Sequence, residues 1–273
     1  MFEAIILGII QGLTEFIPIS SSAHIRLAGE VFPNAIDPGA MFTAITQIGT
    51  ELAVLIYFRK DIVRIISAWI SSLTNKSARN QDSRMGWLII IGSLPIVVIG
   101  YLAQDFITSE LRSLWIIASM MVVFGLILGA TDRFASKTKE LSQLTVKHGV
   151  LYGLAQSLAL IPGVSRSGAT IAMGRALGYS REAALRYSFL LALPAVFGSG
   201  LYQLKSALSE DQAAVYSLGE TFVATAIAFV VGYLVIAWLL KFVTTKSFAP
   251  FIIYRVILGS TVLGLLASGL LQP

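Results

Sequence analysis

The sequence predicts an all-α polytopic membrane protein with an inverted-topology repeat, each repeat a re-entrant helical hairpin plus three transmembrane helices. Three observations carry this. First, 56% of the 273 residues are hydrophobic and 13% charged, with a mean hydropathy of +0.79, whereas soluble domains are about 25% charged. Second, the apolar runs 40–58, 86–104, 114–130, 184–203, 219–240 and 251–270 have the roughly 17–25 residues that a helix needs to cross the hydrocarbon. Third, shifting the chain by 145 residues lays one half on the other. Gly8, Gln11, Leu13, Ser20, Ser22 and Gly29 then fall on Gly153, Gln156, Leu158, Ser165, Ser167 and Gly174 without a gap.

In chain order, segment 2–18 is apolar but runs into Pro18 and the serines 20 to 22, and segment 149–163 runs into Pro162 and a second Ser-rich turn. Both are predicted half-spans, since irregular backbone at membrane depth survives only inside protein or beside a water-filled cavity. Each half then holds three crossings. Three is odd, so the second half enters from the opposite side, as in many transporters. One membrane domain is expected over 1–273: repeat one about 1–130, a cytoplasmic loop about 131–148, repeat two about 149–273.

Loop charges orient it. Residues 59–84 carry Arg59, Lys60, Arg64, Lys76, Arg79 and Arg84 against Asp61 and Asp82, and read as a polar cytoplasmic loop. Alternation puts loops 131–148 and 241–249, with their lysines, on the same side, and 25–39, 105–113 and 204–218 outside. The start Met-Phe-Glu lacks the positive region of a signal peptide, so the first segment is expected to be retained. The absence of Cys excludes disulfides and thiolate chemistry. The net charge of +5 belongs to membrane-flanking loops rather than to a nucleic-acid surface, since no basic run is interleaved with aromatics.

Two turns carry the chemistry. In Ser165-Arg166-Ser167-Gly168-Ala169-Thr170, small residues let backbone approach a ligand, the first N–H groups of the following helix are unpaired, and Arg166 adds a planar fork. This reads as an anion cradle that suits phosphate; the structural alternative is a serine helix cap and an arginine that snorkels. In Gln11-Gly-Leu-Thr-Glu15-Phe-Ile-Pro18-Ile-Ser20-Ser21-Ser22-Ala-His24, Gln11 and Glu15 share a helix face and offer oxygens to a divalent cation, Mg²⁺ or Ca²⁺. The alternative is a carboxylate bonded to a neighbouring helix. His24 lies three residues after Ser21 and, if neutral, accepts a hydroxyl proton. Gln47 lies mid-span and is a candidate cavity residue. Glu51 is either a second acidic contributor or half of a structural ion pair, and Arg255 either partners an anion or snorkels. Phe16, Phe42, Phe189 and Phe197 read as core or lipid-facing. His148 is given no role.

On these motifs, with Phe189-Leu-Leu-Ala-Leu-Pro194 and Tyr254-Arg255, the chain resembles, over nearly its whole length, the bacterial undecaprenyl-diphosphate phosphatase family, also called the bacitracin-resistance or BacA/UppP family. The resemblance implies hydrolysis of C55 isoprenyl diphosphate to the monophosphate at the outer face of the cytoplasmic (inner) membrane, with a divalent cation, recycling the lipid carrier of wall synthesis. It puts the acidic motif on Gln11 and Glu15, the catalytic Ser and His on Ser21 and His24, and the phosphate motif on Ser165, Arg166, Ser167 and Thr170. Ser20, Ser22, Gln47, Gly168 and Arg255 complete the expected substrate-binding set. Some members have Glu where this chain has Gln11, which leaves less charge for a cation; Ala23 replaces a Gly common before the His. The expected route is attack by Ser21 with His24 as proton acceptor, or water activated by Glu15 and His24. The rival function is a transporter or flippase of a phosphorylated lipid or small anion, which needs no base beside a hydroxyl. Assembly into a homo-oligomer is left open.

Overall fold

Every described secondary element longer than three residues is an α-helix in the computed structural model, which describes residues 1–31, 39–103, 106–107, 111–135, 138–209 and 215–272. They are α1 (Phe2–Thr14), α2 (Ser21–Val31), α3 (Gly39–Tyr57), α4 (Arg59–Thr74), α5 (Gln81–Leu102), α6 (Leu114–Phe134), α7 (Val146–Ser157), α8 (Arg166–Ala176), α9 (Arg181–Ser209), α10 (Leu218–Thr245) and α11 (Ala249–Ala267). Five of them, α5, α6, α9, α10 and α11, are long and apolar enough to cross a membrane, and α3 with α4 makes a sixth path if the pair counts as one span. The chain is thus an all-α, polytopic membrane protein.

The predicted spans match helices, with ends shifted where polar caps extend them. α5 begins at Gln81 rather than 86 because Asn80 and Ser83 exchange side-chain and backbone bonds in a capping box. α10 begins on the same device, built by Ser217 and Glu220. The half-spans α1 and α7 are 13 and 12 residues long, about 18–20 Å at 1.5 Å per residue, too short for a bilayer core.

The expected loop 59–84 is not a loop over most of its length. Residues 59–74 form α4, which leaves α3 at 80°. Of the charges that suggested a loop, Arg59, Lys60, Asp61 and Arg64 lie in its first two turns, while Ile62, Ile65 and Trp69 lie at the i, i+3, i+7 spacing of an apolar stripe. Arg64 bonds Asp61 at 3.0 Å and Asp82 of α5 at 2.9 Å, and Asp61 also pairs with Arg186 of α9. Part of the expected loop 25–39 is likewise helical, as α2; residues 32–38 lie outside the described residues, as do parts of 105–113 and 204–218.

Packing crosses between the halves of the sequence. α1 and α3 pack on α10, α7 on α5, α9 on both α3 and α5, and α6 on α11. Close approach needs glycine at these crossings. A Cβ at Gly153 of α7 would stand 2.3 Å from the Gly92 carbonyl oxygen of α5, and one at Gly49 of α3 would stand 2.2 Å from the Thr225 carbonyl oxygen of α10. Phe16, Phe189 and Phe58 interlock edge-on at the centre, with centroids 5.1 and 6.4 Å apart. At one end Asp132 of α6 gathers Arg175 (3.0 Å), Arg181 (2.8 Å) and the Phe248 N–H (3.3 Å), tying α8, α9 and the α10–α11 turn together.

Gly153→Ala is expected to destabilise the fold by about 1–3 kcal/mol through overpacking, read as a lowered melting midpoint of tryptophan fluorescence in detergent. Gly198→Ala, whose Cβ would meet nothing within 4 Å, should leave that midpoint unlowered.

Candidate active site

The two turns are built alike. Ser20 (φ 76°) and Ser165 (φ 70°) are the non-glycine residues with positive φ among those described, and they are 145 positions apart. A left-handed conformation costs an L-residue about 1–2 kcal/mol. Here it turns each serine into a cap for the helix that follows. Ser165 Oγ accepts from the Gly168 N–H at 3.1 Å and Ser20 Oγ from the Ala23 N–H at 3.4 Å. Each also lies 3.2 Å from the hydroxyl two residues on, Ser167 or Ser22.

The turns touch. The Gly163 N–H donates to Ser22 Oγ at 3.5 Å, and Ser167 Oγ reaches the Glu15 and Ile17 carbonyls at 3.4 Å. Arg255, fully buried in α11, fastens them. Its Nη1 donates to the Pro18 carbonyl (3.1 Å) and its Nη2 to the Gly163 and Val164 carbonyls (both 2.9 Å) and to Met120 (3.4 Å), while Nε donates to Met121 (3.2 Å). Every guanidinium nitrogen is therefore spent on backbone. The sequence left open whether Arg255 meets an anion or snorkels; its guanidinium turns inward and staples both turns to α6. Gly163 (φ +93°) permits this, since a Cβ there would stand 2.2 Å from the Ile117 carbonyl oxygen.

Arg166, the first residue of α8, crosses to the other turn. Its Nη2 donates to Glu15 Oε1 at 2.7 Å and to Glu51 Oε1 at 2.5 Å. Glu15 Oε2 accepts from Gln11 Nε2 at 2.7 Å and from Ser21 Oγ at 2.6 Å. So Gln11 and Glu15 do share a face, and Ser21 touches a carboxylate. The cluster is nearly dry, with side chains 13% (Arg166), 4% (Glu15) and 0% (Glu51) exposed. Three of its buried atoms have no partner among the described residues: Arg166 Nη1, Glu51 Oε2 and Gln11 Oε1.

His24 sits at the edge, away from the expected bond to Ser21. A carbonyl only accepts, so its Nδ1–H donates to the Ser20 carbonyl at 2.7 Å; its Nε2 is then left to accept from the Tyr254 hydroxyl at 2.8 Å, the two rings stacked at 5.6 Å. The base in contact with Ser21 is Glu15. Thr170 bonds the Arg166 carbonyl (2.7 Å) and Ser188 (2.5 Å), so it supports the start of α8 from within. Gln47 lies half-buried on α3, one turn before Glu51. Sequence reasoning missed Tyr254 as a partner of His24 and left Glu51 undecided. A lone Glu in the apolar run of α3 was the available signal for the second; nothing local marked the first.

No group of three His, Asp or Glu side chains arranged to hold a metal occurs among the described residues. The oxygen chemistry nevertheless fits a hard cation, which keeps several waters and takes substrate oxygens. Gln11 Oε1 and Glu51 Oε2 are uncommitted buried acceptors beside Glu15.

A polytopic helical bundle whose interior brings an arginine, two carboxylates and a carboxylate-bound serine to the meeting of two broken segments belongs to the class of integral membrane proteins with a buried polar site. The family model described as bacitracin resistance protein BacA matches residues 4–261. The chain is 60% identical over 272 residues to an undecaprenyl-diphosphatase of Micrococcus luteus, covering 99% of this chain and 98% of the relative. It is 62% identical over 259 residues to one of Paenarthrobacter aurescens (94% of each), and 55% identical over 285 residues to undecaprenyl-diphosphatase 2 of Streptomyces coelicolor (100% and 97%). The chain belongs to the BacA family.

Arg255→Gln should remove the staple and leave buried carbonyls without donors, at about 1–3 kcal/mol for each such group. A large fall in the detergent melting midpoint is expected, and Arg255→Lys, which keeps the charge but not the fork, should not restore it.

Proposed function

We propose that the chain hydrolyses undecaprenyl diphosphate to undecaprenyl phosphate and inorganic phosphate. The observation that carries this reading is the pairing of two features in one buried cluster: Ser21 Oγ hydrogen-bonded to Glu15 at 2.6 Å, and Arg166 held through Nη2 while its Nη1 has no partner among the described residues. Binding alone would need the second but not the first. The names of the relatives support the choice of substrate.

In this reading Arg166 Nη1 and the N–H groups at the start of α8 take the oxygens of the terminal phosphoryl group. Ser21 Oγ attacks its phosphorus, the Ser21 proton passes to Glu15, and the bridging P–O bond breaks to release undecaprenyl phosphate. Water then cleaves the phosphoserine, releasing inorganic phosphate and restoring the hydroxyl. Phosphoryl transfer asks chiefly for positioning and charge stabilisation, which a rigid, dry pocket provides. His24, tied to Tyr254 and to the Ser20 carbonyl, orients the turn that carries Ser21 and stands ready to relay a proton. Ser20, Ser22, Ser165, Ser167, Gly168 and Thr170 shape the cradle, with Gln47 on its wall. A divalent cation, Mg²⁺ or Ca²⁺, would be held by Glu15 and Gln11 and would supply neutralising charge for the diphosphate.

The reading also gives the chain one membrane domain of two inverted halves. Helices α2 and α8 begin and end 145 residues apart, their caps repeat the same strained serine, and the packing of α1 on α10 mirrors that of α7 on α5. Loop charges support a site that opens to the outer face of the cytoplasmic membrane, where such an activity would confer bacitracin resistance. The polyisoprenyl tail suits an apolar cavity of about 390 Å³ lined by Leu55, Ile62, Trp69, Ile89, Leu193 and Phe197, between α3, α4 and α5 on one side and α9 on the other. Leu55 is about one helical turn along α3 from Glu51.

Detergent-purified protein is expected to release phosphate from undecaprenyl diphosphate, and a chelator should abolish this. Arg166→Ala should lower kcat/KM at least about 10²–10³-fold; no release by the unaltered protein overturns the reading in favour of a transporter. Ser21→Ala tests the route: near-normal turnover removes the covalent intermediate and leaves water as the nucleophile.

A further inference from the structure

Glu51 is the least exposed carboxylate of the site, at 0%, and the one for which packing offers least reason. It stands in α3, between Thr50 and Leu52, in a run otherwise suited to hydrocarbon. An intramembrane carboxylate is expensive and calls for a partner. Arg166 is only half a partner. Its Nη2 is divided between Glu15 and Glu51, so two carboxylates face one guanidinium, and with both ionised the cluster carries one net negative charge. A buried, uncompensated charge is costly, and the approach of a diphosphate would add more of the same sign.

Two atoms show where the missing positive charge goes. Glu51 Oε2 and Gln11 Oε1 are buried acceptors without a donor, and both belong to side chains one hydrogen bond from Glu15 or from its partner Arg166. Gln11 has already turned its amide nitrogen to Glu15, which leaves its oxygen outward and brings no charge. A carboxylate oxygen and an amide oxygen, both dry and uncommitted beside a second carboxylate, are the donor set of a hard divalent cation completed by water and phosphate oxygens. We propose that Glu51 is a ligand of the site's divalent cation, supplying the second carboxylate charge that Gln11 does not. This rests on the reading of the site as one that takes a cation with its diphosphate. It makes α3 the source of a metal ligand beside Gln11 and Glu15 of the first broken segment.

The test is Mn²⁺ binding by purified protein in detergent, without substrate, followed by electron paramagnetic resonance of the free ion. Wild type should bind Mn²⁺, Glu51→Gln should weaken binding at least about 10-fold, and Gln11→Glu added to Glu51→Gln should recover most of it by returning the charge at the neighbouring position. Unchanged affinity in Glu51→Gln, with only a lowered melting midpoint, makes Glu51 a structural partner of Arg166 and overturns the assignment. So does a wild type that binds no Mn²⁺. Should Glu51→Gln fail to fold, Gln11→Glu is compared with the double variant: a loss of at least about 10-fold in the double variant supports the role and equal affinity overturns it. Phosphate release by wild type is scored separately. Mn²⁺ binding that depends on Glu51 without phosphate release sinks the phosphatase reading alone; release with Glu51-independent binding sinks only this assignment.

Discussion

One buried guanidinium holds the site in register. The two turns are far apart in sequence, and each leaves carbonyl groups facing inward outside any helix. Arg255 meets those of Pro18, Gly163 and Val164 together and anchors the whole on the Met120 and Met121 carbonyls of α6. Only arginine carries enough N–H groups in a fixed plane to do this. Once the turns are fixed, Arg166 is within reach of Glu15, and Ser167 of the backbone around Ile17. The adjacent residue of the same helix, Tyr254, bonds His24. Helix α11 therefore sets the depth of the turns and holds the ring of the histidine, whose tautomer the Ser20 carbonyl fixes.

The active cluster is organised by what is left unbonded. Arg166 is pinned through one nitrogen by two carboxylates, which fixes its direction and leaves Nη1 without a partner among the described residues. Ser21 is held against Glu15, so its proton already has an acceptor. Such preorganisation in a buried cluster avoids reorganisation when charge develops.

Much of this was legible in the sequence, and what was not has physical causes. Span positions followed from hydrophobic length, and the likeness of the two turns from the repeated serine spacing, because both are local properties. Helix α4 was hidden because its charges are numerous and its stripe is narrow: counting charge suggested a loop where periodicity would have suggested a helix. Arg255 was ambiguous because its partners are backbone carbonyls, which no side-chain pattern reveals. The link between His24 and Tyr254 spans 230 positions and depends wholly on how α11 packs. Ser21 and Glu15 were both singled out, yet their contact was not, since it depends on how the non-helical residues 15–20 fold back.

The strained serines at positions 20 and 165 limit how such a chain can drift. Glycine would accept the left-handed backbone but remove the capping oxygen, and alanine would supply neither. Asparagine tolerates the conformation and can cap, but it brings a larger amide into a turn where Ser20 is already 1% exposed. Each place thus asks one small residue to meet a backbone demand and a side-chain demand at once. Single substitutions lead downhill from it in every direction, so these two sites should act as fixed points around which the surrounding helices are free to diverge.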